Sequence, residues 1–115
     1  MAIVRILTAP TTLSELADLA KETYIFMIKG AVDIVKERVA FGGDYHIESC
    51  EELTKTGSAY LDVWGCNLVF DENGSYTIEY DSLINIKPAA GNHSRIVDSI
   101  EYRDKIRDIL QRYIV

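Results

Sequence analysis

Apolar positions recur along this chain with two alternating periods, and the changes of period mark out its elements. Ile3-Val4-Arg5-Ile6-Leu7 reads as a first strand. Thr12 and Glu15 have the spacing of a capping box, in which a hydroxyl and a carboxylate satisfy free N–H groups at a helix start. Leu13, Leu16, Ala17, Ala20 and Tyr24 then recur at helical spacing and predict a helix over 13–23. From Tyr24 the residues turn β-branched and aromatic. Strands are predicted over 24–29, 31–35 and 38–41, with Lys36-Glu37 at a hairpin turn. Gly42-Gly43 closes that hairpin. Asp44 is placed to cap a short helix running to about Thr56, and Gly57 suits the left-handed position just beyond it.

The second half repeats the alternation. Residues 60–70 are strand-like, Asp71-Glu72-Asn73-Gly74 is a tight turn, and 76–80 returns antiparallel. Residues 83–87 are expected to extend that strand or add another. Asp98 is the expected N-cap of a last helix, with Glu101 at its third position. Tyr102, Ile106, Ile109, Leu110, Tyr113 and Ile114 form its apolar face, while Arg103, Asp104, Lys105, Arg107, Asp108 and Arg112 form a solvated, mixed-sign face. Hairpin signals dominate over βαβ alternation. The prediction is one α+β domain over 1–115: a mainly antiparallel sheet of four to six strands, the N- and C-terminal helices on one face, and a short middle helix.

Composition narrows the class. With 48% hydrophobic and 26% charged residues, the 115-residue chain is globular rather than disordered. A net charge of −6 argues against nucleic acid and anionic membranes, whose phosphates call for clustered Lys and Arg. Cys50 and Cys66 make no CxxC pair. One disulfide is conceivable, but two reduced, buried thiols of a cytosolic protein are the favoured reading. The apolar run to Leu7 is too short for a signal-peptide core, and the run from Tyr24 to Ile28 is closed by Lys29, so neither is expected to span a bilayer. A cytoplasmic location is expected.

Three constellations could carry chemistry. Asp44, His46 and Glu48 alternate, so an extended segment would aim all three to one side as metal ligands or acid–base groups. If Asp44 caps a helix instead, the three fan apart and His46 shares a face with Cys50. Trp64-Gly65-Cys66-Asn67 places a Gly inside a strand, a sign of a bulge or close backbone approach. Trp64 then either lines a pocket or anchors the core, with Gly65 making room for its ring. The third is the loop from Asn85 to Arg95. Asn85 and Lys87 alternate with Ile84 and Ile86, which predicts the polar pair on the face opposite the isoleucines. Gly91-Asn92 favours a tight turn, and Lys87, Asn92, Ser94 and Arg95, with His93, supply donors for an anion. The bland alternative is a loop held by its own Asn side chains, with Arg95 paired to Asp98 or Glu101.

The spacing Gly42-Gly43-Asp44-x-His46, Leu61-x-x-Trp64-Gly65-x-Asn67, Ser82-Leu83-Ile84-Asn85-Ile86-Lys87-Pro88-x-x-Gly91-Asn92-x-Ser94 and Arg103-x-x-Ile106 resembles a small prokaryotic single-domain family of unknown function. The resemblance covers about residues 25–112. It implies a free-standing domain, assigns no activity, and places the three constellations in one shared design. Lys87 and His93 stand where that family's pattern leads one to expect Arg, so its cationic face is softened here.

The leading expectation is a non-enzymatic binding or interaction module. It would recognise a small anionic molecule or an acidic partner through Asn85, Lys87, Asn92, Ser94 and Arg95, with Trp64 nearby and no metal or cofactor. The competing expectation is a metal-assisted hydrolase built on Asp44, His46 and Glu48, which requires residues 42–48 to meet residues 85–95. A homodimer through a sheet edge or the C-terminal helix is a further expectation.

Overall fold

Strand β4 (Val63–Phe70) has six consecutive buried residues, Val63 to Leu68, a pattern that only a central strand covered on both faces can show. The computed structural model describes residues 3–115. Among them, five strands form one antiparallel sheet, in the order β1 (Val4–Ile6), β3 (Arg38–Gly42), β2 (Met27–Asp33), β4, β5 (Tyr76–Glu79). The β2–β4 pair runs in register from Met27 opposite Val69 to Asp33 opposite Val63. The fold is α+β, as the hairpin signals predict.

Side-chain alternation sorts the core into two layers. On one face Ile28, Val32, Val39, Phe41, Trp64, Cys66 and Leu68 meet Leu16, Leu19 and Ala20 of helix α1 (Leu13–Ala20) and Ile106, Ile109 and Leu110 of helix α3 (Ile100–Tyr113). On the other, Ala31, Ala40 and Val63 meet Cys50 and Leu53 of helix α2 (His46–Lys55), together with Ile84. The terminal helices therefore share a face and the middle helix covers the reverse. Cys50 and Cys66 are free, buried and in different layers. No helix among the described residues is long and apolar enough to cross a membrane.

Several local expectations are corrected. Helix α1 ends at Ala20 rather than 23; the chain turns out of it, and Ile25, at φ 68°, donates to Ala20 O. The hairpin turn occupies 34–37, with Glu37 at φ 58°, so strand character ends at Asp33. Asp33 Oδ1 shapes that turn by accepting from the amides of Val35 and Lys36. Asp44 does not cap α2. Tyr45 takes the extended N-cap conformation, and Glu48 reaches back to accept from the amides of Asp44 and Tyr45 at 2.9 and 3.0 Å. Asp98 is not the cap of α3 either. Its amide donates to Asn92 Oδ1, and Ser99, one residue on, caps with its hydroxyl on Tyr102 N.

The largest departure is at 83–87, which forms no strand. Two 3-10 turns, Leu83–Asn85 and Pro88–Ala90, replace it, the first closed by Ser82 Oγ accepting from Ile84 N. The expected polar face does not form: Ile84, Asn85 and Lys87 are all buried while Ile86 is 40% exposed. The reason lies at the edge of β4. Strand β5 pairs only with Asn67 to Phe70, so the first half of β4 would expose its polar backbone. Asn85 covers it, accepting from Gly65 N at 2.7 Å and donating to Gly65 O at 3.0 Å.

Gly65 is where the covering loop comes closest. A Cβ there would lie 2.5 Å from Ser82 Cβ and Oγ and 3.0 Å from Ile84 Cγ1. The residue makes room for Ser82, not for the Trp64 ring, whose side chain leaves on the opposite face. Gly65→Ala is predicted to destabilise the fold by about 1–3 kcal/mol through overpacking. Urea unfolding checks this; a midpoint unchanged from wild type would contradict the close approach.

Candidate functional site

The segments 42–48 and 82–95 meet on the α2 face of the sheet. Between them lies a cavity of about 320 Å³ walled by Lys29 of β2, Tyr45, His46 and Ile47 at the start of α2, Ser82, Leu83 and Ile84, and Arg95. Each wall has a local cause. Gly42, at φ 111°, lies so near Ile3 that a Cβ would be 2.0 Å from the Ile3 carbonyl oxygen, and this bend delivers α2 onto the sheet. The 82–95 loop is zipped at its ends, Ser82 N donating to Arg95 O and Val97 N to Tyr80 O. It is pinned inside by Asn92, which donates to the carbonyls of Asn85, Ser94 and Ile96 at 2.8–3.0 Å.

Two cations face the cavity differently. The Arg95 Nε donates to Asp81 Oδ1 at 3.0 Å across an exposed pair, so its expected partners Asp98 and Glu101 are replaced by Asp81. Lys29 forms no ion pair among the described residues. Its ammonium lies 4.8 Å from the Tyr24 ring centroid and 5.5 Å from that of Tyr45, cradled by aromatic faces that favour a cation. Tyr24 in turn donates to Asp44 O, and the next residue, Ile25, holds the left-handed conformation that a β-branched residue rarely adopts.

His46 closes the inner wall. Its Nε2 lies 2.7 Å from Asn67 Oδ1 and 3.1 Å from Cys66 O, two acceptors, so Nε2 carries the proton. Burial holds the imidazole pKa below its usual 6.5, against the hydrogen bond to Asn67, and the nearby Lys29 acts in the same direction as burial. The ring is therefore neutral at neutral pH.

The residues expected to carry function are distributed as follows. Of the expected ligand-binding set, Arg95 lines the cavity. Asn85 and Asn92 are buried and spend their amides on the backbone of β4, of the loop and of the approach to α3. Ser94 exchanges hydrogen bonds with the Ile96 backbone, and His93 is exposed. Trp64 sits in the other layer, its ring 5.3 Å from that of Tyr102. Asp44, His46 and Glu48 do not converge: Glu48 serves the helix start and His46 points at Asn67. Among the described residues, no three His, Cys, Asp or Glu side chains gather as a metal site. Lys29 is the residue that sequence reasoning missed. Its signal was present, a lone charge at one strand position inside Met27-Ile28-Lys29-Gly30-Ala31.

Lys87 is turned inward, 2% exposed. Its ammonium donates to Ile84 O at 2.6 Å and lies 3.6 Å from the Tyr60 ring centroid and 5.4 Å from that of Trp64. Burial pulls its pKa from 10.5 down to about 8. Below about 8 the amine is charged in the folded and unfolded chain alike, and the desolvation cost is fully present. Between about 8 and 10.5 only the unfolded chain keeps the proton, so stability contributed by this group rises with pH. Wild type is predicted to gain on Lys87→Met by on the order of 2 kcal/mol between neutral pH and about pH 10, read from paired urea titrations. A stability difference that does not move with pH would contradict the buried amine.

No curated protein and no solved structure matches the chain. One family model does, over residues 5–113, and its description is "Protein of unknown function (DUF5674)". The chain belongs to that family.

Proposed function

We propose that this domain is a binding module whose cavity on the α2 face takes a small organic anion with an apolar body. The observation that carries the reading is Lys29, a cation without a carboxylate partner, set between two tyrosines in the cavity wall. Arg95 supports it. Asp81 engages its Nε, which leaves the terminal nitrogens for a carboxylate or phosphate. Tyr45, Ile47, Leu83 and Ile84 supply the apolar wall. Anion recognition thus falls to Lys29 and Arg95, and the rest of the 85–95 loop serves to hold Arg95 and the Ser82–Ile84 turn in place.

The hydrolytic alternative is favoured by one fact only, that His46 and Arg95 share the cavity. His46 would then act as a general base, without the carboxylates once expected beside it.

A thermal-shift screen of carboxylated and phosphorylated metabolites tests the binding reading. A ligand that stabilises wild type is expected to bind about tenfold or more weakly to Lys29→Met and to Arg95→Ala, the loss typical of a charge-assisted hydrogen bond. Equal affinity for wild type and both variants would refute it.

A further inference from the structure

The cavity wall holds one group that anion binding does not use. With its Nε2 proton committed to Asn67 Oδ1 and Cys66 O, neutral His46 keeps a lone pair on Nδ1. The orientation of Asn67 is set by its own partners, because Nδ2 donates to Asp81 O at 3.3 Å and to Glu79 Oε1 at 3.4 Å. Its oxygen, not its nitrogen, must therefore face the imidazole. Among the described residues two buried side-chain polar atoms lack a partner, Asp33 Oδ2 and Trp64 Nε1. His46 Nδ1 is not one of them, and no side chain or backbone group among the described residues hydrogen bonds to it. It is an open acceptor on a residue that lines the cavity.

An acceptor is misplaced in a site meant for a bare anion, since two lone pairs repel. It fits a ligand that brings a donor next to its charge. Lys29 and Arg95 disfavour an ammonium there, by like-charge repulsion, and so the donor is neutral. A hydroxyl suits the wall better than an amide N–H, because it donates to Nδ1 while its lone pairs accept from the neighbouring cations.

We infer that the cavity selects a hydroxy acid: a carboxylate that meets Lys29 and Arg95, an adjacent hydroxyl that donates to His46 Nδ1, and an apolar chain against Ile47 and Leu83. This rests on the anion-binding reading above and deepens it. His46 is in this account a specificity residue, selecting for the hydroxyl rather than adding to charge recognition.

Matched acids test this: 2-hydroxyisocaproate against isocaproate and lactate against propionate, titrated into the protein and followed by calorimetry. Near neutral pH wild type is expected to prefer each hydroxy acid by about fivefold, the net worth of one hydrogen bond. In His46→Phe the preference for each hydroxy acid over its matched plain acid should vanish. Should that variant fold poorly, wild type alone gives a second readout, because 2-methoxypropionate, the methyl ether of lactate, cannot donate a hydrogen bond and should bind no better than propionate. Equal binding of hydroxy and plain acids to wild type, with Lys29→Met weakening both, would overturn the hydroxyl inference and leave the anion reading standing. If no acid binds wild type at all, the hydroxyl inference falls, and the phosphorylated members of the thermal-shift screen decide the anion reading. A preference that survives in His46→Phe, or that 2-methoxypropionate shares, would also overturn the role of His46.

Discussion

The Asn85 side chain pairing with the backbone of Gly65 is the contact on which the functional half of this domain depends. A central strand that loses its partner halfway along must satisfy its N–H and C=O groups some other way. Here one carboxamide does so, with its oxygen on Gly65 N and its nitrogen on Gly65 O. The same amide also reaches Arg95 O at 3.1 Å, so the strand edge and the far end of the loop are tied to one side chain. Asn92 extends the tie from Asn85 O to Asp98 N, just before α3. A chain of hydrogen bonds thus runs from β4 through two asparagines to the last helix, and the cavity wall formed by Ser82, Leu83, Ile84 and Arg95 hangs from it.

The architecture was largely legible in the sequence, for a physical reason. Periods of two and of about 3.6 residues report burial on one face, and burial decides where helices and strands lie. Thus α1, α3, the β4–β5 hairpin and the shared face of the terminal helices follow from pattern. What the pattern misplaced was governed by single polar contacts instead. Asp44 and Asp98 were plausible caps by residue type, but Glu48 and Ser99 are the groups that reach the free amides. The alternation Ile84-Asn85-Ile86-Lys87 looked like a strand with an outward polar face. Its asparagine was needed at a strand edge and its lysine between aromatic rings, and neither demand leaves a periodic trace.

The site was legible in a different proportion. Sequence reasoning singled out residues 42–48 and 85–95, and required them to meet for chemistry to occur. Of the second segment Arg95 reaches the cavity beside Tyr45, His46 and Ile47, while the Ser82–Ile84 turn just before it supplies the rest of that wall, so the side chains that face the cavity are mostly not those that stood out. Asn85, Lys87 and Asn92 drew notice because they are polar in a Pro/Gly-punctuated loop, and such residues are often the loop's own fastenings. Lys29 was read as the end of an apolar run, although a charge on the covered face of a central strand demands a reason. In the proposed reading the cavity supplies one, with a tyrosine on either side of the ammonium. The left-handed backbone at Ile25 sits next to one of those tyrosines.

Hydrogen exchange at the Gly65 amide in Asn85→Ala measures the central claim directly, since that amide's acceptor is Asn85 Oδ1. The account predicts that the Gly65 amide and the amides of the 82–95 loop lose protection together, while the β2–β3 core amides keep theirs. Retained protection at Gly65 and through the loop would show that something other than the Asn85 carboxamide closes the edge of β4, and the account would fail.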